Sequence, residues 1–455
     1  MFQKTIKNKI EITGKGLHTG TINTATLLPA PENTGIKFRR IDVSGKPYIP
    51  AIIENVTNTN RRTVIQKDGI TIETVEHLLA ALFAYSIDNL IIELDGPEVP
   101  ILDGSSKIFT EEIEKSGIIQ QNESKKQFEI LHYFKVENHI DNSKIEFYPQ
   151  NKLEIEVTID YDSSVLSPQK ANLNNLSNFK EDIASARTFC FLHELNHLIH
   201  ENLIKGGDLK NSVVFIENDT NINEVGELSS LWPEEKKVLT KGVLNNMEMI
   251  CDNEQAKHKL LDLIGDISLA GLDIKGKIIA HKPGHEINTM FAKKLKKEII
   301  NTMNIMEGKP LMNLKDIKKI LPHREPFLLI DEVRELGNSY VTGVKYVNID
   351  EYYFKGHFPG APVMPGVLQI EAMAQTGGIL ALNSVQDPEN YLTYFMKIDN
   401  VKFKQKVEPN CILIFKLRLL SPIRRGICHM QGKAYMNNEV VTEAELMAKI
   451  VKAKK

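Results

Sequence analysis

His258 and Asp262 lie four residues apart, a spacing that places both on one face of a helix, with Asp266 one turn further along the same stripe. Leu260, Ile264 and Ile267 fall on another face. Such a helix buries one side and offers an imidazole and a carboxylate, ligands suited to Zn²⁺, to a cleft. A third ligand must come from elsewhere. Glu76-His77 offers a ligand and an adjacent general base within one helical turn, the division of labour a hydrolytic zinc site requires. Spacing alone leaves the choice open. His193-Glu194-Leu195-Asn196-His197 satisfies the HExxH pattern of zinc peptidases, with His200 following. His-x3-Asp is also an ordinary hydrogen-bonding pair on a helix surface.

A second set lies near the other end. Met364-Pro365-Gly366 leads into Val367-Leu368-Gln369-Ile370-Glu371, and proline is favoured in a first helical turn. The helix is apolar nearly all round and belongs in a core, where an unpaired carboxylate is disfavoured in its ionised form. Glu371 is therefore expected to stay protonated and to donate a proton at neutral pH. A glutamate satisfied by a buried hydrogen-bond partner is the plainer alternative. Gly356-His357-Phe358-Pro359-Gly360 sets an imidazole on a constrained turn just before this helix, so an acid and a base are expected to meet in one pocket.

The elements that carry these groups can be read coarsely. Residues 6–28 and 63–72 show short alternating runs broken by Gly, Pro and Asn, which predicts strands. Val75, Leu78, Leu79 and Leu82 then recur at helical spacing, and 91–94 reads as a strand before a turn. After a polar stretch at 120–127 the plan repeats, with clean alternation over 153–159 and helices expected at about 189–204 and 258–269. No residue-level repeat is evident. A polar connector at 304–309 precedes a third, strand-rich pattern. The chain of 455 residues exceeds what one core usually carries. Three domains are expected, at 1–125, 126–305 and 311–455.

Gly14-Lys15-Gly16-Leu17-His18-Thr19-Gly20, Thr74-Val75-Glu76-His77, the run Gly96-Pro97-Glu98-Val99-Pro100-Ile101-Leu102-Asp103-Gly104-Ser105, Ala186-Arg187-Thr188-Phe189, Gly206-Gly207 and residues 257–266 together resemble the UDP-3-O-acyl-N-acetylglucosamine deacetylases, zinc amidases of lipid A synthesis. The resemblance spans about residues 1–305. It implies His77, His258 and Asp262 as zinc ligands, Glu76 as general base, and Thr188 as a group that assists the oxyanion. His285 would be the acid for the leaving amine, oriented by Asp266. Lys259 and Lys282 match positions near the nucleotide phosphates. Cys190 stands where the family usually has glycine.

Leu321-Pro322-His323-Arg324, the Gly-His-Phe-Pro-Gly turn and the residues from Pro365 to Gln375 resemble the 3-hydroxyacyl-acyl carrier protein dehydratases of hot-dog fold. By that resemblance His357 takes the α-proton, Glu371 protonates the departing 3-hydroxyl, and the Gly366 N–H polarises the thioester carbonyl. The family shares its sites across a dimer, and three dimers form a hexamer. The two resemblances imply an α+β chain: two sheet-plus-helix deacetylase domains packed face to face, followed by a hot-dog domain.

Composition fits this reading. With 42% hydrophobic and 25% charged residues the chain is neither disordered nor membrane-embedded, and the longest apolar candidate, 78–87, is too short to span a bilayer. The N-terminus lacks an export signal, so a cytoplasmic enzyme is expected. Cys190, Cys251, Cys411 and Cys428 show no CxxC spacing, which leaves His and carboxylate for any metal. Residues 311–455 hold 20 Lys and Arg against 15 Asp and Glu, while 1–310 hold 36 against 44. A basic end steers an acidic partner, but Lys402, Lys404, Lys406, Arg424 and Arg425 alternate with apolar residues as an ordinary solvated strand face does. Acyl carrier protein is the partner the dehydratase resemblance implies, with no nucleic acid expected. The competing reading is an HExxH peptidase using His193, Glu194 and His197, joined to a hot-dog thioesterase.

Overall fold

The computed structural model describes residues 2–125, 130, 133–150, 152–195, 204–208, 210–221, 238–239, 241–244, 248–271, 274–303, 305–437 and 439–453. They form two compact units, one from Met1–Lys125 with Tyr133–Glu298, the other containing Ile299–Lys455.

The first unit holds two five-stranded sheets. One is built from β1 (Ile10–Lys15), β2 (Ile22–Pro29), β3 (Ile36–Arg40), β4 (Tyr48–Pro50) and β5 (Leu90–Leu94), in the order β1-β2-β5-β3-β4. Helix α1 (Glu76–Ala84) precedes β5 and α2 (Lys107–Ser116) follows it. The other contains β6 (Phe134–Asn138), β7 (Ser143–Tyr148), β8 (Leu153–Ile159), β9 (Gln169–Leu173) and β10 (Gly276–His281), in the order β6-β7-β10-β8-β9. Here α3 (Glu254–Ser268) precedes β10 and α4 (His285–Met303) follows it. Strand order and helix placement are the same in both. So is the single parallel pairing, β3 with β5 and β8 with β10. The topology is duplicated without a residue-level repeat, because a sheet asks only for alternation. In β8, Ile155, Val157 and Ile159 are buried while Glu154, Glu156 and Thr158 are not.

The helices α1 and α3 cross closely. A Cβ on Gly265 would lie 2.2 Å from the Glu76 carbonyl oxygen, so only glycine permits this approach. The crossing sets the first turn of α1, with Glu76 and His77, against α3, which carries His258 and Asp262. The strand expectation at 63–72 holds, with Val64–Lys67 and Ile70–Ile72 in a three-stranded sheet. The helix expected at about 189–204 is corrected. Phe189–Phe191 is a strand, paired in parallel with Val213–Ile216. A distant partner overrode the local periodicity. Helical residues begin at Leu192, and 196–203 lie outside the described residues.

In the second unit α5 (Leu314–Ile320) leads to an antiparallel six-stranded sheet of β11 (Glu332–Leu336), β12 (Tyr340–Val347), β13 (Tyr391–Phe403), β14 (Cys411–Leu419), β15 (Ile427–Met436) and β16 (Glu439–Lys452). The order is β11-β12-β14-β15-β16-β13. Helix α6 (Gly366–Leu382) packs against it, burying Ile370, Met373, Ile379 and Leu382 with Phe415, Leu417 and Met430 of the sheet. Strand β13 forms one edge and leaves Tyr394, Phe395, Met396, Ile398 and Phe403 exposed.

Candidate active sites

His77, two residues into α1, and His258 and Asp262, one turn apart on α3, converge with one ligand atom from each within 4.8 Å of the others. His77 Nε2 lies 3.6 Å and His258 Nε2 3.4 Å from Asp262 Oδ1. All three are buried, and among the described residues Asp262 Oδ1 has no hydrogen-bond partner. A buried carboxylate oxygen facing two imidazole nitrogens without a donor fits a cation. The His258 Nδ1–H donates to the Ala186 carbonyl at 3.0 Å, which turns Nε2 toward the cluster. Burial holds His258 down to about 4, the neutral form a metal needs. Burial alone would raise Asp262. The neighbouring His258 and Lys259 override it and keep the carboxyl well below the usual carboxylate range.

Glu76 opens α1 beside this cluster, fully buried, and burial raises it above the usual carboxylate range. Its Oε2 accepts from the Thr63 N–H at 3.1 Å. Its other oxygen lies 3.9 Å from His285 Nε2. His285 Nδ1–H donates to Asp266 Oδ2 at 3.0 Å, and Asp266 also accepts from Thr63 Oγ1 at 2.5 Å and Asn288 Nδ2 at 2.9 Å. Burial pulls His285 down, yet the carboxylates of Asp266, Asp262 and Glu76 push it up to about 9. These carboxylates favour its cationic form, with Nδ1 held by Asp266 and Nε2 turned toward Glu76.

A cavity of about 580 Å³ opens onto these groups, and Thr188, Lys259 and Lys282 line it as well. Thr188 is held from both sides, its N–H donating to the Gly104 carbonyl and its own carbonyl accepting from Val213. Arg187, next to it, grips the buried Glu254 at the start of α3 through Nε and Nη2 at 2.7 and 3.0 Å. Lys259 is not a loose surface lysine. Its Nζ donates to Asp262 Oδ2 at 2.9 Å. Lys282 lies 3.8 Å from Asp160. A narrow side cavity, lined by Phe189, Leu195, Ile204 and Val214, shares Leu17, His18 and Thr188 with the main one.

The HExxH residues form no rival centre among the described residues. Glu194 is committed to Arg61 at 2.5 Å and to the Phe191 N–H, and the exposed His193 pairs with Glu217 at 3.2 Å. His197 and His200 lie outside the described residues.

In the second unit Glu371, on α6, lines a cavity of about 240 Å³ with His323, Gln375, Ala381 and Met430. The expectation of an unpaired core carboxylate is corrected here. Glu371 is partly exposed and accepts from Gln375 Nε2 at 3.0 Å, and His323 Nε2 lies 3.6 Å away. One turn further along α6, Gln375 comes back onto the same face and supplies the partner. His357 Nδ1–H donates to the Val363 carbonyl at 2.7 Å. Among the described residues no hydrogen bond or ion pair joins His357 to Glu371 within the protomer. Gly366 is the first residue of α6.

Sequence reasoning gave no role to Thr63, Asn288 or His323. The first two bind Asp266 from 203 and 22 residues away, and no local spacing signals such contacts. His323 stood within a quoted motif, which was the available signal.

Residues 3–229 and 235–297 match the family described as UDP-3-O-acyl N-acetylglycosamine deacetylase, and residues 321–445 match the FabA-like domain. The chain is 46% identical over 458 residues to a protein of Bacteroides thetaiotaomicron named bifunctional enzyme LpxC/FabZ, covering 99% of each. A protein of the same name from Chlorobaculum tepidum is 39% identical, again over 99% of each. The UDP-3-O-acyl-N-acetylglucosamine deacetylase of Saccharophagus degradans is 37% identical, over 63% of this chain and 87% of its own length.

Proposed function

Because the chain belongs to the bifunctional LpxC/FabZ family, we propose residue roles for the two reactions that family joins. The enzyme is a hydrolase that deacetylates UDP-3-O-(3-hydroxyacyl)-N-acetylglucosamine in lipid A biosynthesis. It is also a lyase that dehydrates 3-hydroxyacyl-acyl carrier protein to the trans-2-enoyl thioester in fatty acid elongation.

The convergence of His77, His258 and Asp262 beside Glu76 and His285 carries the deacetylase assignment. These three residues hold Zn²⁺ in this reading, and a bound zinc ion supplies Lewis acidity toward water and the acetamide carbonyl. Glu76 accepts the proton of the attacking water, a task its raised pKa suits. The Thr188 hydroxyl supports the developing oxyanion. His285, kept cationic by Asp266, protonates the leaving amine. Lys259 and Lys282 meet the diphosphate of the UDP-sugar, and the apolar side cavity takes the acyl chain.

In the dehydratase, His357 removes the α-proton, Glu371 protonates the departing hydroxyl, and the Gly366 N–H at the start of α6 polarises the thioester carbonyl. The α-proton gained by one residue and the proton lost by the other balance over the cycle. Two observations support a site completed by a second copy: among the described residues no hydrogen bond or ion pair joins His357 to Glu371 within the protomer, and β13, at the edge of the sheet, leaves apolar side chains exposed. Three such dimers make the expected hexamer. Three domains at 1–125, 126–305 and 311–455, a cytoplasmic location and delivery of the thioester by acyl carrier protein complete the proposal. Among the described residues no helix is long and apolar enough to cross a membrane.

Single substitutions test the assignment. Glu76→Gln is expected to abolish deacetylation and spare dehydration, while Glu194→Gln retains both chemical steps. Deacetylation lost in Glu194→Gln and kept in Glu76→Gln would reverse the roles.

A further inference from the structure

Glu98 takes no part in the steps above, yet its carboxylate is fully buried and saturated with donors close to the deacetylase cavity. Its Oε1 accepts from the His18 N–H at 2.9 Å and the Thr74 hydroxyl at 2.7 Å. Its Oε2 accepts from the Thr19 N–H at 2.8 Å and the Thr19 hydroxyl at 2.7 Å. These donors come from two places that matter. Leu17 and His18 form the wall shared by both cavities, and Thr74 lies two residues before Glu76.

Thr74 has φ +56°, left-handed backbone that a β-branched residue adopts only when its surroundings impose it. The bond from its hydroxyl to Glu98 is the visible constraint. From Thr74 the chain turns directly into α1, so the direction of that turn places the Glu76 and His77 side chains. On the other side the loop is packed to its limit. A Cβ on Gly16 would lie 2.3 Å from Glu98 Oε2, and one on Gly206 would lie 1.9 Å from the Gly16 carbonyl oxygen. Three motifs, at 14–20, 74–77 and 96–105, thus meet at one carboxylate, and Gly206 packs against the first of them.

We infer that Glu98 is a positioning residue of the deacetylase: through the Thr74 hydroxyl it sets the direction in which α1 begins, and hence where Glu76 and His77 stand, and through His18 and Thr19 it fixes the cavity wall. The inference rests on the reading of His77 as a metal ligand and Glu76 as the base. All four groups facing the carboxylate are donors, so an amide in its place turns an NH₂ toward other donors. The hydroxyls can rotate to accept, whereas the backbone N–H groups of His18 and Thr19 cannot.

The test uses the full-length chain with Glu98→Gln, Thr74→Val, Thr74→Ser and Thr19→Ala. Three quantities are read: the affinity of metal-free protein for Zn²⁺ by competition with a chromophoric chelator, kcat and KM for deacetylation, and the dehydration rate of the same sample. Glu98→Gln and Thr74→Val are expected to weaken Zn²⁺ binding about 10- to 100-fold, as loss of a group that orients ligands does. They lower kcat by about tenfold or more, since misplacement on the ångström scale is costly to a reacting group. Combined, they lose no more than Glu98→Gln alone, the signature of one shared interaction. Thr74→Ser restores both quantities to within about twofold, and Thr19→Ala raises KM while leaving kcat within about twofold. Native Zn²⁺ affinity and kcat in Thr74→Val, additive losses in the double variant, or a Thr74→Ser as impaired as Thr74→Val would each overturn the inference. Should Glu98→Gln not fold, the Thr74→Val and Thr74→Ser pair decides. Glu76→Gln, assayed alongside, separates the two failures: if it keeps deacetylation, the reading of the site falls, and if only the Thr74 variants are silent, the positioning role falls alone.

Discussion

Substitution of Gly265 by alanine probes the geometry on which the deacetylase depends. The added Cβ would stand 2.2 Å from the Glu76 carbonyl oxygen, 2.8 Å from its carbon and 2.9 Å from its Cα, whereas ordinary contact begins near 3.4 Å. All three are backbone atoms, so no rotamer change relieves the clash. The helices α1 and α3 must part by about 1 Å, at a cost of about 1–3 kcal/mol typical of overpacking. His77 rides on α1, and His258 and Asp262 ride on α3, so the His77 to Asp262 spacing of 3.6 Å grows by a comparable amount. Zinc bonds of about 2.0–2.2 Å tolerate only about 0.2 Å of error. Zn²⁺ affinity should fall by at least about 10- to 100-fold and kcat/KM for deacetylation by about 100-fold. Leu263→Ala, on the same helix and fully buried, is the control. It should cost about 2–5 kcal/mol of stability without wedging the helices apart, and so leave Zn²⁺ affinity nearly native below its unfolding temperature. Both variants are measured by chelator competition, thermal unfolding and deacetylase kinetics. A Gly265→Ala enzyme within about twofold of native, or a Leu263→Ala enzyme with the same loss of Zn²⁺ affinity, would refute the reasoning.

The pH profile of deacetylation should fall on the alkaline side as His285, raised to about 9, loses its proton. The raised pKa means the active cation is fully present at lower pH and disappears as pH rises through that value. Asp266→Asn removes the nearest carboxylate and should move this limb to lower pH, read from log kcat against pH. His357→Ala and Glu371→Ala should each lower dehydration by about 100-fold or more and leave deacetylation intact. Coexpression of these two variants should restore part of the dehydratase rate, because a mixed pair of subunits contains one intact site. Phe395→Glu, a charge on the exposed edge of β13, should reduce the oligomeric state by sedimentation and lower dehydration with it.

The parts of this molecule readable from sequence are those set by near neighbours. His258, Asp262 and Asp266 fall on one stripe because the α-helix repeats every few residues, and β8 shows its alternation because one of its faces is buried. His77 joins them from 181 residues upstream, so its proposed place among the metal ligands rests on resemblance rather than on spacing. Phe189–Phe191 read as helix because its parallel partner at Val213–Ile216 is distant in sequence. Glu371 read as an unpaired core carboxylate because Gln375, although one turn away, shows its hydrogen bond only once the helix has a rotational setting. Glu98 was visible within a motif but mute. Its donors at His18, Thr19 and Thr74 lie 80, 79 and 24 residues away, and only the folded chain brings them to the carboxylate.

One chain runs two reactions in separate sites, the deacetylase one proposed to be built on His77, His258 and Asp262. Parallel assay of Asp262→Ala for bound zinc, UDP-sugar deacetylation and hydroxyacyl dehydration addresses it most directly. Zinc and deacetylation should vanish together while dehydration stays within about twofold of native. Deacetylation that persists in Asp262→Ala, or dehydration that disappears with it in a protein that remains folded, would contradict the account.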